Sequence, residues 1–338
     1  MSRHLVAGIV GLALLVVIGV AAPRVLLHGW LIAFAFLGGI ALGALALLMI
    51  HRLTGGRWGE AARPVLAAAA AALPLTLLLV LPLLLGARLA YPWAADPTSA
   101  GPGVAAIILN PWSVGLRSLV GLGALCLFGR MLIAGRLGRL GAGLGLCAYA
   151  LFMNVASYDW LLSLDPRFTS SAFGAQIIVG QILSALCLAA LFGRAPDDDP
   201  AWADLGGLIL ATTLGESYLL LIGFSIDWYG DLPDQAHWYM SRTLNGWRWL
   251  EVAGVLLGAV LPMLALLFGR VRRDPLMLRP VALAVLLGLL IEDIWLVAPA
   301  TEPVSALTGL LAVGTLALLL PGAAAPLSKL TGRTAHGV

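Results

Sequence analysis

Most of the residues able to do chemistry lie between Thr213 and Glu251, in the run TLGESYLLLIGFSIDWYGDLPDQAHWYMSRTLNGWRWLE. Glu216 stands in the middle of an apolar segment, where an ionisable side chain costs roughly 2.5–3.5 kcal/mol to insert into a bilayer. Thr212, Thr213 and Tyr218 share its polar stripe, which must face a protein interior. Such an acid is either a proton carrier or quinone-head ligand, or a protonated, hydrogen-bonded structural group. Asp159, Glu292 and Asp293 lie toward the ends of two other apolar runs, and Glu251 follows Arg248 at the mouth of a third. Carboxyl groups held together in a low dielectric suit proton uptake and release. Glu292 and Asp293 are adjacent, about 100° apart on a helix, so only one of them is expected to face a shared cavity. The plain alternative for Asp159 and Asp293 is pairing with an arginine, with Arg117, Arg167, Arg242 and Arg248 within reach of the same loops. Arg117 and Arg248 themselves read equally as snorkelling cations. Gln176, Gln181 and Ser184 read as interhelical hydrogen-bond glue.

Other chemistries lack their residues. The five histidines, His4, His28, His51, His237 and His336, all avoid helix centres. Bis-histidine haem needs imidazoles inside a bundle, so no intrinsic haem b is expected. Cys126, Cys147 and Cys187 sit singly in apolar runs without metal-ligand spacing and read as packing residues. No P-loop, GxSxG or HExxH is present, and no metal site is expected. Redox cofactors, if the chain serves redox chemistry, belong to partner subunits.

The elements that position these residues must be membrane helices. The 338 residues are 61% hydrophobic and 11% charged, with a mean hydropathy of +0.98, and soluble domains carry about 25% charged residues. Ten runs approach the ~20 residues that span a bilayer: Leu5–Ala22, Trp30–Ile50, Pro64–Leu85, Ser113–Ala134, Leu140–Leu162, Ala172–Phe192, Leu205–Ile226, Trp249–Phe268, Pro280–Val297 and Val304–Leu320. They lack the period-two alternation of barrel strands, so helix is the only element that satisfies their backbone in lipid. Met1–Ala22 has some features of a signal peptide, but its apolar run is long enough for an uncleaved first helix.

Arginines concentrate between helices two and three (Arg52, Arg57, Arg63), four and five (Arg130, Arg136, Arg139), six and seven (Arg194), and eight and nine (Arg270, Arg272, Arg273, Arg279), with Lys329 and Arg333 after helix ten. The opposite loops carry Asp96, Asp165, Asp227, Asp231, Asp234 and Glu302. The positive-inside rule then places both termini and the arginine-rich loops in the cytoplasm, and the aromatic loops toward the periplasm or cell exterior. The net charge of +3 is a topology signal, and no nucleic-acid surface is expected. Two long outer loops, Gly86–Trp112 and Asp227–Trp247, are expected to form short caps, with Tyr91-Pro92-Trp93 and Trp228-Tyr229 in the interface belt.

Short echoes suggest duplication: Leu127-Phe128-Gly129-Arg130 with Leu267-Phe268-Gly269-Arg270, and Asp159-Trp160 with Asp293-Ile294-Trp295. The fold expected is therefore an all-α polytopic membrane protein, a single domain over 1–338. Helices two to five (29–163) and six to nine (171–298) form two parallel four-helix bundles, flanked by helices one and ten.

The run DWLLSLDPRFTSSAFGAQIIVGQ from Asp159, the WYGDLPD and WYxxR of the Trp228–Trp247 loop, DIWLVAP from Asp293 and TGGRWGEAARP from Thr54 together form a recognisable combination. It resembles the second quinol-binding-type membrane subunit of alternative complex III, of the NrfD/polysulfide-reductase-like family. The resemblance covers about 54–299. It implies a scaffold and proton-path subunit, without a redox centre of its own, in a quinol:cytochrome c or quinol:oxidase oxidoreductase. Partners would be a paralogous NrfD-like subunit, an iron-sulfur subunit, cytochrome c subunits carrying haem c, and a terminal oxidase in some assemblies. The chain would bind no cofactor of its own, and menaquinone or ubiquinone would be the candidate small molecule. The membrane that the resemblance implies is a bacterial inner membrane. Transferred onto this sequence, the proton path would use Asp159, Glu216 and Asp293, with Glu292 and Glu251 beside them. Arg242, Arg248, Trp228, Tyr229 and Trp238 would form the outer mouth or quinone contacts. Two other classes compete: a secondary transporter working around Glu216, and a purely structural anchor.

Overall fold

A computed structural model describes residues 3–100, 107–194, 196, 200–230, 233–244 and 246–331. Asp231 and Arg333, both used above to orient the chain, lie outside the described residues, as does His336. The chain is an all-α polytopic membrane protein, and no strand occurs among the described residues. Nine helices there are long and apolar enough to cross a membrane. They are α1 (His4–Ala21), α2 (Pro23–Thr54), α3 (Arg57–Leu85), α4 (Pro111–Ile133), α5 (Arg139–Leu164), α6 (Phe173–Phe192), α7 (Ala201–Gly230), α8 (Trp247–Leu267) and α9 (Pro275–Ala300). A final helix, α10 (Val304–Thr331), carries a shorter apolar stretch, Val304–Leu319.

Several helices start earlier than their apolar runs. Pro23 and Pro275 occupy first-turn positions, where the missing N–H is not needed. The Asp274 carboxylate accepts from the Leu276 amide at 2.9 Å, and Asn110 caps α4 by accepting from Ser113 at 2.9 Å. The turn from α2 into α3 runs through Gly55 and Gly56 at φ 69° and 112°, which favour glycine. Within α3, Pro74 cannot donate to the ladder, and the helix is interrupted at Ala72.

α2, α3, α4 and α5 pack in a ring, as do α6, α7, α8 and α9. α2 and α6 form the seam between the rings, and α5 also lies against α6. At the seam Gly43 sits on the Gln181 carbonyl, an approach that leaves no room for a Cβ. Apolar surfaces gain little from one another in lipid, so close backbone packing at small residues supplies the association. α1 and α10 pair on the outside of α2. Two stretches of π-helix interrupt this regularity: Phe34–Gly38 in α2 and Leu256–Val260 in α8. They fall in helices that the four-helix offset does not relate to each other.

The aromatic loops do fold into short caps, Ala87–Ala90, Pro92–Ala95 and Pro97–Ala100 after α3, and Pro233–Ser241 after α7. Their aromatic residues divide differently from the expectation. Tyr91 and Trp93 are buried, and the Tyr91 hydroxyl donates to the Trp160 carbonyl at 3.0 Å. They plug the first ring and do not lie in an interface belt, because a phenol that donates to a helix-end carbonyl is better placed under the cap than in headgroups. Trp228 and Tyr229 are exposed at the last turn of α7.

Candidate functional site

Two cavities meet inside the protein. The first, of about 60 Å³, opens at the seam: α2 contributes Phe34, Gly38 and Leu42, α5 Ser157 and Trp160, α6 Gln176 and Gln181, α7 Glu216, and α9 Glu292 and Asp293. The second, of about 40 Å³, lies within the second ring and is lined by Thr213, Glu216, Ser217, Glu251, Gly258 and Glu292 among others. Glu216 and Glu292 belong to both linings and form the partition between them. Each cavity borders one of the π-helical stretches, since the segment 34–38 lines the first and Gly258 and Ala259 line the second. A π-turn widens the helix locally and withdraws a side chain from the packed face.

The four acids descend from one end of the molecule toward its middle. Glu251 stands in the first two turns of α8, close to the aromatic-loop end. Glu292 and Asp293 lie about 8 Å below the last α-helical residue of α9, and Glu216 lies on the order of 20 Å below the end of α7, at 1.5 Å per residue. Gln176 donates to the Glu292 carboxyl at 2.7 Å. One Glu216 oxygen is buried without a hydrogen-bond partner. Among the described residues no arginine, lysine or histidine forms an ion pair with any of these four. Beside Glu216 on the same helix, Thr213 and Ser217 turn their hydroxyls back to the carbonyls of Ile209 and Thr213, both at 2.8 Å.

The expectation that only one of Glu292 and Asp293 would face a shared cavity is corrected. Both line the first one, because α9 runs along the junction and its two acids flank the same opening. Asp159 goes elsewhere. It is 1% exposed and held by Arg117 in a two-bonded fork, Nε to Oδ2 at 2.9 Å and Nη2 to Oδ1 at 2.8 Å. The remaining Arg117 donors reach Ser113 and the Ile108 carbonyl. Ser157, Trp160 and Leu161 present one face of α5 to the first cavity, and Asp159 lies on another. Its arrangement is that of a structural ion pair, and it lines neither cavity.

Arg242 is buried at 2% exposure above the acids. Its guanidinium lies 3.8 Å from the Trp238 ring centre and donates to the carbonyls of Trp238 (3.3 Å) and Leu296 (3.1 Å). Burial pushes its pKa down to about 10, with Asp165 and Glu251 acting in the opposite sense, so it remains cationic at neutral pH. Tyr239 beside it is pushed up, first by burial and then by Asp227. Trp238 is buried, stacked on Phe168 at 4.3 Å and edge-on to Trp295 at 5.4 Å. Arg248 is exposed over the Trp249 ring at 5.3 Å. The named outer-mouth residues thus split: Arg242 and Trp238 plug the end of the second ring, whereas Arg248, Trp228 and Tyr229 face outward.

Sequence reasoning undervalued the amides and missed Tyr149. The Tyr149 hydroxyl donates to Gln181 at 2.7 Å across α5 and α6, and Gln176 serves an acid as well as joining two helices. A buried phenol in the middle of a span was the available signal. The π-helical stretches left none, since their residues are ordinary apolar ones. Among the described residues no three His, Cys, Asp or Glu side chains converge as a metal-binding group. The chain matches no protein-family model, and no curated protein matches its sequence. Fold and site together define a class: a polytopic helical membrane protein with acids gathered at two internal cavities.

Proposed function

We propose that this chain is an integral membrane subunit of a quinol-oxidising respiratory complex, one that scaffolds redox partners and conducts protons but holds no redox centre. The observation that supports the reading is the placement of Glu251, Glu292, Asp293 and Glu216 along two adjoining cavities, with none of them in an ion pair among the described residues. Oxidation of a quinol to a quinone releases two electrons and two protons. On this reading the electrons pass to iron-sulfur and haem c subunits, and the protons need acceptors in the membrane. The first cavity has a mostly apolar wall with amide and carboxyl groups on one side, a lining suited to an isoprenoid quinol head. Glu216 and Glu292, shared by both cavities, are placed to hand a proton from one to the other, and Glu251 to exchange it at the aromatic-loop end.

The test uses the complex purified in mild detergent. Glu216→Gln and Glu292→Gln are expected to lower quinol-dependent turnover or proton release at least about a hundredfold, the lower end of general acid–base contributions. Asp159→Asn is expected to act through stability instead. Unchanged turnover and proton release in Glu216→Gln, Glu292→Gln and Asp293→Asn would reject the proton role. The position of the first cavity at the seam between two rings favours one rival, a secondary transporter rocking about Glu216. Isolation of the chain without haem c and iron-sulfur partners, together with proton-coupled solute uptake in proteoliposomes, would establish that rival.

A further inference from the structure

A third cavity lies outside the two just described, at the aromatic-loop end. It is an open vestibule of about 480 Å³ between the cap after α3, the turn after α5, the short helix Pro233–Ser241 and the end of α9. Its ionisable lining is Asp165, Arg167, His237 and Arg242. Asp165 is already engaged by Arg167 at 3.4 Å. Arg242 is a different matter: it is 2% exposed, and among the described residues it bonds only to neutral carbonyls and its buried Nε has no partner. Among the described residues no carboxylate lies within ion-pair distance of it. Asp165 and Glu251 act on it only from beyond contact distance, and a buried guanidinium with donors to spare and no direct ion pair is costly and is stabilised when an anion completes it. Two arginines against one carboxylate leave the vestibule lining positive.

We propose that the vestibule is a binding site for a phosphate-type anion, taken by Arg242 from beneath and by Arg167 and His237 from the rim. The chemistry is shared by free phosphate and by the headgroup of an anionic phospholipid. The site stands independently of the quinol reading, because it needs neither the acids nor a redox partner.

The experiment uses the full chain in a phosphorus-free maltoside detergent. The 31P line width of inorganic phosphate is followed on titration, with chloride matched for ionic strength. In parallel, native mass spectrometry measures retention of phosphatidylglycerol against phosphatidylcholine. Saturable broadening assigns the site to free phosphate, and selective retention of phosphatidylglycerol assigns it to a lipid headgroup. Arg167→Gln is expected to weaken whichever signal is seen about tenfold, the loss of one charge-assisted pair. Arg88→Gln, an exposed arginine at the same end and outside the vestibule lining, is the control and is expected to leave it unchanged. Arg242→Gln is expected to abolish the signal if it remains monodisperse, but the test does not depend on it. Absence of both signals in the unaltered protein, or equal behaviour of Arg167→Gln and Arg88→Gln, overturns the proposal.

Discussion

Acids that looked alike along the chain differ in what surrounds them. Asp159 meets a fork of guanidinium donors, whereas Glu216, Glu292 and Asp293 meet cavity walls and, for Glu292, one amide. Removing one partner of a buried pair strands the other charge. Asp159→Asn or Arg117→Leu is therefore expected to destabilise the protein toward the lower end of roughly 3–5 kcal/mol, because Arg117 is partly exposed. Thermal melting in detergent measures this. Glu292→Gln should stay within about 0.5 kcal/mol of the parent in the same assay, since an amide retains a hydrogen bond to Gln176 and no cation is left unpaired. A large loss of stability in Glu292→Gln would mean that its carboxylate is a structural group. Arg242→Lys is expected to lose both the indole stack and the reach to the Leu296 carbonyl, because an ammonium cannot reproduce a planar fork. Faster proteolysis in the Pro233–Gly246 segment would report it.

Helices hold the acids in place through close crossings. Where α8 passes α9, Gly254 and Gly258 face Gly288, and a Cβ on Gly288 would run into the Gly258 backbone. Gly288 is one helical turn from Glu292, so this crossing fixes the depth of the acid as well as the width of the second cavity. Gly288→Ala is expected to cost about 1–3 kcal/mol through forced separation of the helices. Gly123→Ala, where nothing lies within 4 Å, is expected to be neutral or stabilising by up to about 1 kcal/mol from helix propensity. The pair of melting temperatures checks the argument, since equal shifts would show that the crossing is not tight. The π-helical stretches Phe34–Gly38 and Leu256–Val260 belong to the same scale: each opens a helix beside a cavity, and neither could be anticipated from residues such as Phe-Ala-Phe-Leu-Gly.

For the molecule as a whole, the arginine loops and the aromatic caps occupy alternate turns between the helices, so they fall on opposite ends of the spans. If the positive-inside rule holds, a membrane-impermeant maleimide added to intact cells labels Asp165→Cys and leaves Arg136→Cys unlabelled. The three native cysteines are replaced in that experiment, because Cys147 is exposed on the helix surface. The reverse labelling pattern would invert the protein and move the vestibule and Glu251 to the cytoplasmic side. The two rings also explain why the acids meet at all: Glu216 and Glu292 come from one ring, while the far wall of the first cavity comes from α2 and α5 of the other.

Much of this was determined by the sequence alone. Runs of about 20 apolar residues with few charges can only be membrane helices, because lipid offers the backbone no other partner, and a Glu in the middle of such a run can only face protein. Tertiary structure decided the rest. Which acids share a cavity depends on helix rotation and crossing, properties that residues far away along the chain control. It paired Asp159 with Arg117, buried Tyr91 and Trp93 beneath a cap, and turned both Glu292 and Asp293 toward one opening. It also left Arg242 buried without an ion pair among the described residues, a condition that no local pattern of residues encodes.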